Sequence, residues 1–457
     1  MRSTGLVLLL VFEVALGEAL QLHSGRQPPL AYVFLASALL AAALAALVPW
    51  ERFARKEQGE QLFAALALAG LSLQIWELVT TMPGWPRVDR AFPILRLAIL
   101  ACGIAAAAGI AGRGRVARGA VPLLVLVQLA LGLCIVFLTP DPWIDVHKFH
   151  AEAVGDLLAG RSPYGQLRRN IYLHYPFYSP EVLTPDRAFV KVGFPYPPLQ
   201  LLLALPFQKL AGDYRYLHAA ALCLSGLLMW RARPGRTAVA AAALFLLTPR
   251  VIFFFEGPWT EPLVVLMLSL TLYSAARSPG LLPLALGGLL AIKQYTLPLL
   301  LLAPFLLPRA QRTVRGTARV LLPAAALAAA VDLPFFLWNP QGFWSDVLMF
   351  QVRQPFRLDS LSFMALAHLH QLRLPAWCSF AALLGLLLAG ARFAERSPRG
   401  FAAACALAYC AFFATAKQAF PNYYLFPLAA GAWALALCGP QPDATTAHSA
   451  QTVNQGA

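Results

Sequence analysis

The sequence predicts an all-α membrane protein, a polytopic bundle of transmembrane helices, and three observations support this fold class. Hydrophobic residues make up 59% of the 457 residues and charged residues only 12%, whereas soluble domains carry roughly 25% charged residues. The mean hydropathy is +0.63. Apolar runs approaching the ~20 residues that a helix needs to cross the hydrocarbon core recur along the chain, which predicts about 12–14 spans.

The predicted spans follow one another closely, apart from two longer polar stretches at 140–213 and 338–375. The first of these stretches holds many of the carboxylates and tyrosines of the chain, so we expect much of any chemistry to occur there. The apolar runs lie at approximately 4–21, 30–49, 61–81, 93–112, 120–139, 214–231, 237–255, 260–276, 281–292, 296–308, 318–337, 375–391, 400–415 and 422–438.

The distribution of the net charge of +15 sets the predicted orientation. Arginine and lysine cluster in loops that all fall on one side of the predicted spans, as in cytoplasmic loops. This places both termini in the cytoplasm and the two polar stretches outside, in a multi-pass protein of the inner or plasma membrane. No basic face is interleaved with aromatic residues, so membrane lipids are expected partners and nucleic acid is not. The clusters contain Arg52, Arg55, Lys56, Arg113, Arg115, Arg118, Arg231, Arg233, Arg236, Arg277, Arg309, Arg312, Arg315, Arg319, Arg392, Arg396 and Arg399.

Three shorter apolar stretches are not predicted to cross the membrane alone. Residues 199–210 contain Pro206, and a span there would move Arg231 and every later cluster to the opposite side. We therefore interpret 199–210 as a helix on the outer surface. The runs 281–292 and 296–308 are too short for ~30 Å at 1.5 Å per residue. They are interpreted as a broken or re-entrant pair that meets near Lys293.

The spans group into three predicted regions. Residues 1–118 form an N-terminal four-helix transmembrane bundle with few polar groups away from the helix ends. Residues 119–440 form a second transmembrane core that carries the outer loop 140–213. The polar tail 441–457 is predicted to be disordered.

No cofactor and no metal site are predicted. All seven cysteines fall within predicted spans and none has CxxC spacing, so they are interpreted as buried apolar side chains. His147 and His150 lie three residues apart on a predicted interfacial helix, but a metal site needs a third ligand, which the sequence does not identify.

Asp145 is the candidate catalytic carboxylate. It follows the helix-breaking Pro140 and Pro142, at the start of an amphipathic helix just outside the fifth span. An aspartate at a helix start can also act only as a cap, and this alternative stays open. Asp141 invites the same two interpretations, and both Asp141 and His147 are candidate substrate-binding residues.

Two glutamates lie where a predicted span begins from the outer side, in FFFEGPWTEPL. A carboxylate at membrane depth is often functional, which makes Glu256 and Glu261 candidates for substrate binding. Glu261 near a helix N-terminus can equally answer only the helix dipole.

Four cations fall away from the cytoplasmic clusters and together suggest an anion site. Lys293 lies inside an apolar hairpin, where a lipid phosphate or an acidic side chain could balance its charge. Arg353, Arg357 and Lys417 lie outside, against the positive-inside trend, and arginine suits phosphate. Beside Lys417, Asn422 and Tyr423 are candidates for binding a sugar.

The order of these motifs resembles that of the GT-C glycosyltransferases, and most closely glycosyltransferase family 87, the polyprenyl-phosphate-mannose-dependent mannosyltransferases. A span is followed by Asp145, by LLAGRSPYG with Gly160 and Tyr164, and by FPYPPLQLLLALPFQKLAG with Tyr196. FEGPWTEPL and GGLLAIKQYTLP come next. The resemblance covers about residues 120–438. The four N-terminal spans are additional to the core expected of the family, and Trp259 and Glu261 stand where it is expected to carry glutamine and asparagine.

The resemblance implies an inverting transfer, outside the membrane, of a sugar carried on polyprenyl phosphate to a lipid or glycan acceptor, mannose being one candidate sugar. Asp145 would act as general base, Lys293, Arg353, Arg357 and Lys417 would hold the phosphate, and Tyr164 and Tyr196 would contact substrate. The alternative is a transporter or flippase of a polyprenyl-linked saccharide. Transporters often carry inverted repeats and polar residues at mid-membrane, whereas this sequence has no evident repeat and its polar residues crowd the outer side.

Overall fold

The structure, a computed structural model, describes residues 3–22, 28–48, 58–81, 84, 91–112 and 114–439. The predicted tail 441–457 lies outside the described residues, as do the basic residues at 52, 55, 56 and 113. The chain is mostly helical. The α-helices are α1 Ser3–Gln21, α2 Pro29–Leu47, α3 Gln58–Thr80, α4 Phe92–Ala111, α5 Gly114–Leu138, α6 Asp145–Leu158, α7 Pro198–Ala211, α8 Arg215–Ala232, α9 Arg236–Leu246, α10 Val251–Glu256, α11 Glu261–Arg277, α12 Leu282–Ile292, α13 Val314–Trp338, α14 Pro340–Trp344, α15 Phe350–Arg353, α16 Phe363–Leu369, α17 Trp377–Phe393, α18 Pro398–Ala414 and α19 Leu425–Ala436.

The remaining regular structure is short, except for a 3₁₀ helix of 13 residues at Gln294–Leu306. A two-stranded antiparallel sheet pairs β1 with β2, and its register sets Arg168 opposite Val190. A π-helical turn, Ser345–Met349, joins α14 to α15. The strands are β1 Arg168–Arg169 and β2 Phe189–Val190, and the 3₁₀ helices are Pro180–Val182, Pro279–Leu281, Gln294–Leu306 and Arg309–Gln311.

Six helices among the described residues are long and apolar enough to cross a membrane, so the structure confirms a mostly helical protein of multi-pass character. They are α1, α2, α3, α4, α5 and α13. The other apolar helices are shorter, as in α9, α12 and α19. Most of α13 is exposed, and its surface is dominated by large apolar side chains such as Leu322 and Leu337. That surface is suited to lipid.

Most of the long helices share one continuous apolar core that extends from Leu6 to Leu437, and the apolar residues of α6 and α7 form two smaller clusters with the polar stretches. The first four helices belong to this core, because α1 packs on α19, α2 on α18, and α3 and α4 on α9. Small side chains allow the close approach. For example, a Cβ on Gly431 of α19 would lie within 2.4 Å of the Phe12 ring of α1. The domain boundary near residue 118 stays a prediction.

The predicted run 237–255 is divided into α9 and α10 by a break at residues 247–250. Pro249 has no N–H group and therefore cannot continue the hydrogen-bond ladder of α9. Thr248 instead bonds back to the carbonyl of Phe245 at 3.3 Å, and Val251 bonds to the carbonyl of Thr248 at 2.9 Å. This short break places Arg250 between the two helices.

The hairpin near Lys293 differs from its predicted dimensions. α12 has 11 residues and spans about 17 Å at 1.5 Å per residue. The segment after it is a 3₁₀ helix of 13 residues, which spans about 26 Å at 2.0 Å per residue. Pro298 and Pro304 interrupt α-helical hydrogen bonding there. The second segment is therefore longer than an α-helix of the same 13 residues, and neither segment is among the helices long enough to cross a membrane.

Residues 139–213 and 339–375 are in contact and form what we call the polar layer. Asp346 joins the two segments, because its Oδ2 accepts hydrogen bonds from the backbone N–H groups of Gly165 and Gly193 at 2.8 Å and of Phe194 at 3.3 Å. The predicted surface helix at 199–210 is α7. It packs against α6, α8, α12 and α13.

Candidate functional site

A cavity of about 350 Å³ lies where the polar layer meets the ends of α10, α11 and α19. Its size is at the lower end of the range for small-molecule sites. Its wall combines charged groups with many aromatic rings. The lining residues that sequence reasoning predicted as site residues are Asp145, Arg357, Tyr196, Glu261, Asn422 and Tyr423.

Asp145 is the first residue of α6 and lines the cavity. Both of its carboxylate oxygens accept a hydrogen bond from the protein. Its Oδ1 accepts a hydrogen bond from the backbone N–H of Val146 at 2.8 Å. Its Oδ2 accepts a short hydrogen bond from the hydroxyl of Tyr178. Tyr172 adds a third contact, because the backbone N–H of Asp145 donates to its hydroxyl at 3.3 Å. The cap position itself belongs to Ile144, which makes no side-chain cap bond.

Burial raises the pKa of Asp145 above its ordinary value of 3.8. Hydrogen bonds from Tyr178 and from the backbone N–H of Val146 oppose this rise, as does the positive charge of Arg357. Burial is the largest cause, because it penalises the charged form. A raised pKa makes the carboxylate a stronger proton acceptor, which is the property that a general base needs.

Arg357 holds its guanidinium in a fixed orientation at the cavity wall. Its Nε and one terminal nitrogen donate to the two carboxylate oxygens of Asp359, each at 2.8 Å. The guanidinium also lies over the rings of Phe177 and Phe420, at 4.5 and 5.2 Å from their centres. Rings and carboxylate together pre-organise this cation for an incoming anion.

Arg250 is a cavity residue that the sequence interpretation missed. It is 8% exposed and lines the cavity from the α9–α10 break. Its guanidinium lies 4.5 Å from the centre of the Phe253 ring, and its buried Nε has no hydrogen-bond partner among the described residues. The signal was present in the sequence, because an arginine within a predicted span is rare and usually functional.

Glu261 lines the cavity and forms a buried ion pair with Lys293, which we call the floor pair. Lys293 also donates to the hydroxyl of Thr260 at 2.7 Å, and Asn422 donates to the other oxygen of Glu261 at 3.1 Å. The rings of Tyr196, Tyr295 and Tyr423 surround the ammonium at 5.2 to 5.5 Å. The predicted cation at 293 is therefore balanced by an acidic side chain.

Aromatic rings and amide groups complete the wall of the cavity. Gln351 donates to the carbonyl of Pro195 at 3.2 Å and Gln418 to that of Pro355 at 2.8 Å, which leaves their side-chain oxygens as acceptors. Flat rings beside amide groups suit a sugar, whose faces are apolar and whose hydroxyls need hydrogen-bond partners. The further rings are Trp143, Phe149, Tyr172, Phe177, Phe253, Trp259, Phe350 and Phe420.

The other predicted cations do not line this cavity. Lys417 donates to the carbonyls of Val352 and Gln354, both at 2.7 Å, and so ties two loops together. Arg353 is exposed on the end of α15. Of the four cations predicted to bind phosphate, only Arg357 lies in the cavity wall.

Asp141, His147 and Glu256 also lie away from the cavity wall. Asp141 is exposed and pairs with Lys148 at 2.8 Å. The His147 ring stacks on Tyr214 with 5.9 Å between the ring centres, and burial lowers the pKa of its imidazole to about 4. Glu256 is buried. Within the described part of the chain, no group of three or more His, Cys, Asp or Glu side chains could hold a metal ion.

Tyr164 does not line the cavity but contacts Tyr196, which does. It is fully buried, and its hydroxyl donates to the carbonyl of Tyr196 at 2.9 Å. Asn339 donates to the carbonyl of Tyr164 at 2.9 Å. The two predicted motifs, GRSPY at 160–164 and YPPL at 196–199, thus contact each other, and of the two tyrosines it is Tyr196 that lines the cavity.

Comparison of the chain with protein-family models, with curated proteins and with solved structures gave no match.

Proposed function

We propose that this chain is an integral membrane glycosyltransferase of GT-C type, most like glycosyltransferase family 87, with about 12–14 spans and both termini in the cytoplasm. It would transfer a sugar from a polyprenyl-phosphate donor to a lipid or glycan acceptor on the extracytoplasmic face, with inversion. Mannose is the first candidate for the sugar.

The observation that carries this proposal is the buried carboxylate of Asp145, in a cavity that two arginines also line. The other two carboxylates in that lining, Glu261 and Asp359, are each paired with a cation. The carboxylate accepts a proton from an acceptor hydroxyl, and that oxygen attacks the anomeric carbon of the sugar from the face opposite the phosphate. The bond from this carbon to the phosphate oxygen breaks, and its electron pair leaves with the polyprenyl phosphate. Inversion needs one carboxylate base, and the departing phosphate needs cations.

Arg250 and Arg357 are the cations proposed for that phosphate. Both line the cavity, and both rest against rings that fix the guanidinium. Lys293, which is paired with Glu261, and Lys417, which holds two carbonyls, are assigned supporting roles. The lipid chain would leave the cavity past the apolar residues Trp143 and Phe253.

Membranes that contain the chain, supplied with radiolabelled polyprenyl-phosphate sugars, test the proposal. The expected result is a labelled product in which the sugar has left the polyprenyl phosphate, from one donor more than from the others. A transporter or flippase would leave the sugar on its polyprenyl phosphate and move it to the other leaflet, and that outcome contradicts the proposal. Membranes from cells without the chain provide the background.

A further inference from the structure

The buried polar side chains of the N-terminal helices converge on the break between α9 and α10. In an apolar membrane interior, backbone groups that leave a helix ladder must find other partners. α9 ends at Leu246, and the carbonyl of Leu246 accepts a hydrogen bond from the side-chain amide of Gln128 in α5 at 2.7 Å. Gln128 is in turn contacted by the thiol of Cys102 in α4, at 3.5 Å.

Helices α1 and α3 close the break from another direction. A Cβ on Gly17 of α1 would lie 3.0 Å from Cδ of Pro249 and 3.5 Å from Oγ1 of Thr248. It would also lie 3.6 Å from the amide nitrogen of Gln74 in α3. Gln74 and Thr248 are buried, and their side-chain polar atoms have no hydrogen-bond partner among the described residues. A side chain at position 17 would crowd Pro249, so glycine favours this close approach of α1 to the break.

From this convergence we infer that the N-terminal helices position Arg250. The backbone at 246–249 is held by α1, by α3, by α4 and by Gln128 of α5. This fixes the direction in which the next side chain, Arg250, enters the cavity. Gln128 and Gly17 are positioning residues, which act on the substrate through Arg250. The inference rests on the proposed function, in which Arg250 binds the donor phosphate.

Binding of radiolabelled polyprenyl phosphate to the full chain in lipid nanodiscs tests this role. Gln128→Leu removes the bond to the Leu246 carbonyl and should weaken binding roughly tenfold, because a charge-assisted contact is misdirected. The control is Gln21→Leu, which removes a part-buried side-chain bond from Gln21 of α1 to Thr81 at 2.6 Å, away from the break. The control should bind as the wild type does.

A double-mutant cycle separates positioning from general loss of structure. If Gln128 acts through Arg250, Gln128→Leu combined with Arg250→Gln should bind no more weakly than Arg250→Gln alone. Wild-type binding by Gln128→Leu, or additive losses in the double variant, overturns the positioning role. Should Gln128→Leu not fold, Gly17→Ala takes its place, with its new Cβ crowding Pro249. Wild-type binding by Arg250→Gln contradicts the phosphate site of the proposed function itself, which distinguishes the two failures.

Discussion

Two carboxylates of the cavity lining differ in their partners: Glu261 is paired with Lys293, whereas Asp145 has no cation in direct contact among the described residues. At the floor, Glu261 and Lys293 contact each other directly, and Asn422 and Thr260 occupy further hydrogen-bonding positions. At the wall, Asp145 has a tyrosine hydroxyl and a backbone N–H as its hydrogen-bond partners. Arg250 has Glu256 as an acidic neighbour, and its Nε has no hydrogen-bond partner among the described residues. A closed pair is suited to holding helices together, whereas open charges are suited to chemistry.

The largest effect on stability should come from opening the closed pair. Lys293→Met leaves the carboxylate of Glu261 buried at 0% exposure without its counter-charge, which should destabilise the fold by about 3–5 kcal/mol. Thermal unfolding of the purified protein measures this change. Lys148→Met, which breaks the exposed pair with Asp141, should cost no more than about 1 kcal/mol.

Removing Glu261 as well tests whether the loss of stability in Lys293→Met comes from the unpaired carboxylate. Lys293→Met combined with Glu261→Met should recover much of the loss, because no uncompensated charge stays buried. If the single variant is as stable as the wild type, the floor pair does not hold the helices together.

Next in size is the effect of Arg250→Gln on donor affinity. Loss of a charged hydrogen bond to phosphate should weaken donor binding by about 1.5–3 kcal/mol, seen as a raised KM for the polyprenyl-phosphate sugar. Arg353→Gln, at an exposed position away from the cavity, should leave KM unchanged. Equal effects of the two substitutions would remove the distinction between wall and surface cations.

A third prediction concerns the pH dependence of transfer. The Tyr178 hydroxyl stabilises the charged form of Asp145 and so opposes the rise in its pKa caused by burial. Tyr178→Phe should therefore raise the pKa of Asp145 further. Because the base must be deprotonated, the acidic limb of the rate profile should move to higher pH, with activity retained above it.

The matched control for that profile is Tyr172→Phe, whose hydroxyl meets only the backbone N–H of Asp145. Its acidic limb should move less. A limb that moves to lower pH in Tyr178→Phe would show that the hydroxyl does not stabilise the carboxylate.

The smallest effect is expected at Lys417. It donates to two backbone carbonyls and does not reach the cavity wall, so Lys417→Met should change the free energy of unfolding by about 1 kcal/mol and leave KM for the donor unchanged. A tenfold rise in KM would instead place Lys417 among the phosphate ligands.

The sequence predicted the helical membrane character, a helix at α7 and the helix start at Asp145, because these follow from local apolar runs and proline positions. It could not predict which polar side chains meet, since Glu261 and Asn422 are 161 residues apart in the chain. The sequence also could not predict the length of the hairpin formed by α12 and the 3₁₀ helix Gln294–Leu306. The α-helix and the 3₁₀ helix differ in their rise per residue, which the hydrophobic pattern does not encode.

The association of the N-terminal helices with the rest of the protein was equally hidden from the sequence. Their polar residues are few, and each alone resembles a satisfied core side chain. Only the fold brings Gly17, Gln74 and Gln128 to one break in another helix. Arg250 is different, because its position within an apolar run was a sufficient signal and was passed over.

The most direct test of the distinction between open and closed charges is the transfer rate of Asp145→Asn in membranes, compared with Asp141→Asn four residues earlier. The account predicts that Asp145→Asn reduces transfer by a factor of about 10²–10⁴ at unchanged protein abundance and unchanged binding of polyprenyl phosphate, while Asp141→Asn keeps its activity. Wild-type transfer by Asp145→Asn would contradict it.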